Sequence, residues 1–337
     1  MEKNTKVYII AEIGVNHNGN LALAKESVLA AKASGADAVK FQTFKTDKLV
    51  TKRAEMASYQ KENTSKVESQ YDMLKRLELT NDDFLELRIF CDHHQIDFLS
   101  SPFDEESAGL LKEIGVKAFK VGSGELTNIP FLRLLDLYRL PVLLSTGMAD
   151  MDEVQAAVSC FEYSPVTVLH CTSNYPADFS DINLQAITTL SNELGLPVGY
   201  SDHSIGYEVA ICAAAMGAEV IEKHFTLDRN LPGPDHKASL DPAQFKEFVD
   251  KVRLTEIFLG DGVKRSMPSE ESTRRTSRKS VVSKVDIKVG TKITRDMITI
   301  KRPGTGIEPA KIYSLIGREA SQLIEADTVI TEDVLKK

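Results

Sequence analysis

The chain has 337 residues, 42% of them hydrophobic, which is enough for one large domain with a full core and a small second one. Its 41 basic and 49 acidic residues leave a net charge of −8, which argues against a broad nucleic-acid surface. Four scattered cysteines (Cys91, Cys160, Cys171, Cys212) without a CxxC pair argue against a zinc or disulfide framework.

The N-terminal MEKNTKVYIIAEIG enters a strand-like run with no signal-peptide core, and no apolar stretch approaches the roughly 20 residues of a membrane helix. A soluble, cytoplasmic protein is expected. Eight short β-rich runs follow: VYIIAEIG (7–14), AVKFQTF (38–44), DFLSSPF (97–103), AFKVGSGE (118–125), PVLLSTG (141–147), VTVLHCTS (166–173), PVGYSDH (197–203) and VIEKHFT (220–226). Helical patterns separate them. In the first, Leu21, Ala24, Val28 and Ala31 share a face, with Asn20 as cap and Gly35 as stop; DEESAGLLKEIG, MDEVQAAVSCFEY, NLQAITTLSNELG and YEVAICAAAMG repeat the plan. Eight strand–helix units predict an α/β chain whose residues 1–259 form a (β/α)8 TIM barrel. A GxGxxG fingerprint and a P-loop are both missing from the sequence. The second connection, 45–80, is long and polar and reads as a lid or an extra helix.

Residues 260–280 read as a polar linker, with TRRTSRK (273–279) as a solvated face. In the remaining 281–337, IKVGTKITRDMI (287–298) and IEADTVITEDVL (324–335) repeat one pattern at an offset of 37, predicting a small pseudo-symmetric β-rich module.

Barrel chemistry gathers at the C-terminal strand ends. Glu12 closes strand 1, Lys40 and Gln42 share a face of strand 2, and strand 4 ends in Lys120, Ser123 and Glu125. Strand 5 offers Ser145, strand 7 Ser201 and His203, and strand 8 Glu222 and His224. Adjacent strands lie about 4.8 Å apart, so His203 and His224 can share one metal ion, with Mn, Fe, Co or Zn all compatible; the rival is two hydrogen-bonded structural histidines. His17, His93, His94, His170 and His236 lack such a pairing, and His93 and His94 read as a solvated helix end. Lys40, Lys120 and Lys223 beside Ser123, Ser145 and Ser201 read as an anion pocket. A Schiff-base lysine, as in an aldolase, and plain salt bridging of Lys40 or Lys120 to Glu222 are the alternatives. Glu12 and Glu125 are candidate acid, base or water-positioning groups, or they merely orient the lysines. NHNG (16–19) reads as a helix-entry turn with capping asparagines, and Arg302 in KRPG (301–304) as a surface charge.

AEIGVNHNG, KFQTF, SSPFD, KVGSGE, STGM, HCTSNYP, YSDHS, EKHFT, GPDHKAS and KRPG stand in the order in which they occur in one family. The chain closely resembles the sialic acid synthases, the bacterial N-acetylneuraminate synthase group, over nearly its whole length, including a C-terminal module similar to type III antifreeze protein. The resemblance implies a homodimeric enzyme that condenses phosphoenolpyruvate with an N-acylated mannose-type sugar. C3 of phosphoenolpyruvate attacks the sugar aldehyde, water adds at C2, and phosphate leaves by C–O cleavage. It further implies His203 and His224 as ligands of a divalent metal, typically Mn2+, with Mg2+ or Co2+ as substitutes. Lys40, Lys120, Ser123, Ser145 and Ser201 match the phosphoenolpyruvate-binding set, and Glu12 and Glu125 the active-site carboxylates. Gln42, Tyr175 and Asp235 match sugar contacts, and Arg302 an arginine that a domain-swapped partner's capping module brings to the N-acetyl group.

Two positions depart from the pattern. Some members carry a phosphate-binding Asn where this chain has Ser173, with Asn174 one residue on and facing the other way. A phenylalanine that seats the acetyl methyl aligns near Arg278. VGSGE and EIGVNHNG count against a pseudaminic acid synthase; N-acetylmannosamine ranks first as substrate by a small margin, ahead of 2,4-diacetamido-2,4,6-trideoxymannose. A non-catalytic sugar- or ice-binding protein ranks last.

Overall fold

The computed structural model describes residues 6–64 and 68–336, apart from the side chains of Ser58 and Glu62. The chain divides into two compact units between Gly260 and Asp261.

In the first unit β1 (Tyr8–Gly14), β2 (Ala38–Thr43), β3 (Asp97–Pro102), β4 (Phe119–Val121), β5 (Val142–Ser145), β6 (Val166–Cys171), β7 (Val198–Asp202) and β8 (Val220–His224) form a closed parallel barrel, with β8 paired back onto β1. Local chemistry starts the helices between them. Asn20 accepts from the N–H groups of Ala22 and Leu23 at the head of Leu21–Ala33, which buries Ala24, Val28 and Ala31. Capping boxes of Thr80 with Asp83, Asp150 with Glu153 and Asp241 with Gln244 open Asn81–His93, Met151–Val158 and Pro242–Leu259.

Period-two alternation divides every strand between two cores. Ile9, Ala11, Val39, Phe41, Phe98, Phe119, Val142, Leu144, Val168, Val198 and Ile221 pack outward under the helices. Ile10, Ala38, Leu99, Leu143, Leu169 and Val220 form a separate cluster inside the barrel, closing its lower end. Two residues further up each strand the interior turns polar.

The second connection is a run of short helices, Thr46–Leu49, Ser58–Thr64 and Gln70–Leu77, with 65–67 outside the described residues. Met73, Leu74 and Leu77 pack with Val15, Phe44 and Met56, so this segment has a small core of its own.

In the second unit β9 (Ser280–Ser283) pairs antiparallel with β10 (Ile298–Lys301). The sequence repeat is a structural one. Ile287 and Ile324 exchange both backbone hydrogen bonds, and the equivalent pairs Ile293/Ile330 and Ile298/Leu335 all lie in one core. Within the expected linker 260–280, Glu271–Ser277 is an exposed helix. The Arg275 carbonyl accepts from the Gly304 N–H at 2.8 Å, tying that helix to the second unit.

Candidate active site

Above the apolar plug lies one inward residue from each strand in turn: Glu12, Lys40, Ser101, Lys120, Ser145, Cys171, Ser201 and Glu222. All are buried. Lys40 Nζ lies 2.8 Å from Glu12 Oε2 and 3.8 Å from Glu222 Oε2, and it donates to Ser101 Oγ at 3.1 Å. Lys120 Nζ reaches across the barrel to Glu222 Oε1 at 3.3 Å, the oxygen that also accepts from Ser201 Oγ at 3.0 Å. The salt bridging of both lysines to Glu222 is therefore real.

Burial acts to raise the Glu222 pKa, but Lys120 and Lys40 outweigh it and hold the carboxylate down at about 2. Glu12 goes the other way: burial, with Glu222 adding to it, lifts it to about 7 against the pull of Lys40. Burial works against the Lys40 cation too, yet Glu12 and Glu222 raise its pKa above the ordinary value. Two ammonium groups thus face one firm carboxylate and one carboxyl near its midpoint at neutrality, which leaves the layer short of negative charge.

Lys223 does not belong here. It alternates out of the barrel, fully buried, and pairs with Asp202 at 2.9 Å while donating to the Ser204 carbonyl at 2.5 Å. The grouping of three lysines in one pocket is corrected, as strand alternation between Lys223 and His224 requires.

Strand 4 also ends earlier than expected. After Val121 the chain turns at Gly122, and Ser123–Glu125 is a single 3-10 turn closed by the Leu126 N–H on the Ser123 carbonyl. Ser123 Oγ accepts from the Gly147 N–H at 3.0 Å and lies 3.1 Å from Cys171 Sγ. Glu125 is half-buried and accepts from Asn128 Nδ2 at 2.7 Å, without joining the Lys40–Glu222 cluster. Ser173 stands 3.9 Å from Cys171 Sγ, while Asn174 is exposed. Ser145 Oγ is buried with no hydrogen-bond partner among the described residues.

The next level up carries Gln42, His203 and His224. Gln42 Nε2 donates to Glu12 Oε1 at 3.2 Å. The His203 and His224 ring centroids are 5.5 Å apart, and Tyr175 packs on both, 4.1 Å from His203 and 5.5 Å from His224. His203 Nδ1–H donates to the Thr172 carbonyl at 2.8 Å, which leaves Nε2 its lone pair. His224 Nδ1 is buried and unpartnered. Burial lowers both imidazole pKa values, that of His203 to about 4, so both rings are neutral at pH 7. Two neutral imidazoles, one held by a backbone carbonyl and one with a free buried nitrogen, fit a divalent ion that keeps open positions. Among the described residues no cluster of three or more His, Cys, Asp or Glu side chains suits a metal, so these two would be its only ligands from such groups.

Asp235 is buried, and burial raises its pKa to about 6 against the pull of Lys40. Its loop is held by NHNG. Asn16 Nδ2 donates to the Phe225 carbonyl and to Ser239 Oγ, both at 2.9 Å, and Ser239 Oγ donates to the Asp235 carbonyl at 2.7 Å. The helix cap is Asn20, so the motif's own asparagines are not caps. Buried His17 and His236 line the same junction, whereas His93 is exposed, as expected. Arg302 is exposed on the second unit, just beyond β10.

Sequence reasoning missed Ser101, Cys171 and Tyr59. For the first two the signal was available, because each stands two residues beyond an inward leucine, Leu99 and Leu169.

A family model described as the NeuB family matches residues 27–264, and one described as the SAF domain matches 278–336. The chain belongs to the NeuB family. It is 47% identical to the N,N′-diacetyllegionaminic acid synthase of Legionella pneumophila over 96% of this chain and 93% of that protein. Identity to the N,N′-diacetyllegionaminic acid synthase of Campylobacter jejuni is 43%, over 97% and 99%. The crystal structure of the N-acetylneuraminic acid synthetase of Leptospira borgpetersenii superposes with a TM-score of 0.71 at 36% identity, covering 80% of this chain and 90% of that one. This NeuB-family chain is thus an enzyme, a C–C bond-forming synthase of the sialic acid type, built as a (β/α)8 barrel followed by a SAF domain. No helix among its described residues is long and apolar enough to cross a membrane.

Proposed function

We propose that the enzyme condenses phosphoenolpyruvate with 2,4-diacetamido-2,4,6-trideoxymannose, giving N,N′-diacetyllegionaminate and phosphate. The small margin that put N-acetylmannosamine first is reversed. Both legionaminic acid synthases above match this chain at higher identity than the sialic acid synthetase of Leptospira. The observation that carries the reaction class is the inward layer of Lys40, Lys120 and Ser201 around Glu222, beneath two neutral imidazoles.

In this reading Lys40, Lys120, Ser123, Ser145, Ser173 and Ser201 bind the phosphate and carboxylate of phosphoenolpyruvate. The unpartnered Ser145 hydroxyl is a ready donor. Gln42, Tyr175 and Asp235 hold the sugar. His203 and His224 would hold a divalent ion, Mn2+ or in its stead Mg2+ or Co2+, and that ion would supply Lewis acidity at the sugar aldehyde. The new bond joins C3 of phosphoenolpyruvate to the aldehyde carbon. Water then adds at C2, giving up a proton that Glu12 accepts on a carboxylate oxygen and returns to the former aldehyde oxygen. The C2–O bond breaks to release phosphate, which carries off the remaining C2 hydroxyl proton as the ketone forms. A carboxyl poised at about 7 can take that proton and return it at neutral pH. Glu125 serves as a second proton or water handler at the rim. Arg302 of a second copy meets the acetamido group, in a domain-swapped homodimer.

The aldolase alternative needs an unprotonated lysine, and the Glu12 and Glu222 charges that raise Lys40's pKa oppose this. Phosphate release from phosphoenolpyruvate by metal-stripped protein, with Mn2+ restored and each sugar offered separately, tests the proposal. Mn2+-dependent release with the trideoxy sugar preferred is expected; no sugar-dependent release at any Mn2+ loading would refute it.

A further inference from the structure

The polar layer deep in the barrel is fitted to an anion, and nothing in it distinguishes one hexose from another. Discrimination has to come from what meets the sugar higher up. Tyr175 covers His203 with one face of its ring, and its ring also meets that of Tyr59, with centroids 5.0 Å apart. Tyr59 comes from none of the eight strand ends. It lies on the helix Ser58–Thr64 of the second connection, which the sequence marks only as long and polar.

That helix is docked on the barrel. Asn63 Nδ2 donates to the Pro234 carbonyl at 2.6 Å, one residue before buried Asp235. Burial, with the Asp235 charge adding to it, raises the pKa of both the Tyr59 and the Tyr175 phenol. Tyr59 therefore meets one residue assigned to the sugar, Tyr175, from a helix hydrogen-bonded to the loop that carries the other, Asp235, and its ring is half-buried.

We infer that Tyr59 is a specificity-determining residue, the aromatic wall that favours a deoxygenated, diacetamido sugar over a hydroxyl-rich one. The inference rests on the synthase reading above. An aromatic face gains from methyl groups, both the C6 methyl of a 6-deoxy sugar and those of acetamido groups. The same face cannot satisfy the extra hydroxyls of N-acetylmannosamine, so a polar competitor loses hydrogen bonds to water there.

The test compares kcat/KM for 2,4-diacetamido-2,4,6-trideoxymannose and for N-acetylmannosamine in wild type, Tyr59→Phe, Tyr59→Leu and Tyr59→Ala, with the KM for phosphoenolpyruvate alongside. Loss of one apolar contact in a pocket changes discrimination about 10–200-fold. Tyr59→Ala should thus cut the trideoxy/N-acetylmannosamine ratio by about 10-fold or more. Tyr59→Phe should keep the ratio and Tyr59→Leu should fall between, all with unchanged KM for phosphoenolpyruvate. A ratio unaltered in Tyr59→Ala and Tyr59→Leu, or a loss shared equally by both sugars, overturns the wall. A wild type that prefers N-acetylmannosamine refutes the proposed substrate instead, and the ratio in the variants still decides the role of Tyr59.

Discussion

Glu222 is the junction of the inward layer, and Glu222→Gln is the change that separates its two roles. The substitution keeps shape and removes one negative charge from between two buried ammonium groups, 3.3 and 3.8 Å away. At an effective dielectric of about 20, charges at 3.3 and 3.8 Å attract by roughly 5 and 4 kcal/mol. Desolvation offsets much of that, and breaking a buried pair by removing one partner costs about 3–5 kcal/mol net. At about 2–4 °C per kcal/mol for a unit of this size, Tm should fall by roughly 6–20 °C. The same change leaves Lys40 and Lys120 less compensated, so an anion gains. Phosphate or phosphoenolpyruvate should therefore raise the Tm of Glu222→Gln more than that of wild type, through tighter binding to the folded state. Differential scanning fluorimetry across a phosphate series, with chemical denaturation for the free energy, reads both effects. Destabilisation below about 1 kcal/mol, or equal phosphate-dependent increments in the two proteins, would refute the charge balance argued from these distances.

At the opposite, lower end of the barrel, Asp37 accepts from the Ile9 N–H at 3.0 Å and pairs with Lys6 at 2.8 Å and Arg253 at 2.6 Å. Burial pushes its pKa up but these partners outweigh it and hold it low, so its stabilisation is present above the unfolded carboxyl value and lost as pH falls through the folded one. Asp37→Asn should cost about 1–2 kcal/mol at pH 7, a difference from wild type that shrinks below about pH 4 in urea titrations. A Cβ added at Gly147 would sit 2.9 Å from Ser123 Oγ and 2.8 Å from Cys171 Sγ, and closer still to Ser173 Oγ. Gly147→Ala should accordingly raise the KM for phosphoenolpyruvate by about 10-fold or more while moving the sugar KM far less, as steady-state kinetics would show. Coexpressed His203→Ala and Arg302→Ala chains should recover about a quarter of wild-type activity, since half the dimers are mixed and each holds one intact swapped site. Activity no higher than that of either parent would rule out the swap.

Much of the barrel is legible in the chain alone, because its signals are local. Strands repeat every two residues and helices every 3.6, and caps such as Asn20, Thr80 and Asp241 lie beside the helices they start. The same alternation turns Glu222 and His224, and likewise Ser201 and His203, into the barrel interior. It also sets Lys223 apart from them, so the sequence carries the correction that the structure enforced. The identity of the inward residues is equally local: one polar side chain stands two positions above each inward apolar one, from Ile10/Glu12 to Val220/Glu222.

What the chain alone does not determine is anything set by residues far apart in sequence. Strand 4 stops at Val121 because the chain turns at Gly122, with the Ser123 hydroxyl taken by the Gly147 N–H, 24 residues on. Asn16 and Ser239, 223 residues apart, hold the Asp235 loop, and no local rule marks NHNG for that task. The opposite pKa shifts of Glu12 and Glu222 arise once the barrel has closed, because Lys120 and Lys40 both pair with Glu222 while Glu12 pairs with Lys40 alone and also faces the Glu222 charge. Tyr59 is the extreme case. Its segment has weak apolar periodicity, and its ring meets Tyr175 once that segment docks on the barrel, where Asn63 donates to the Pro234 carbonyl. Local rules name the groups that the barrel points inward; closure of β8 onto β1 decides which of them meet, because contact across a barrel is a property of the ring and not of any one strand.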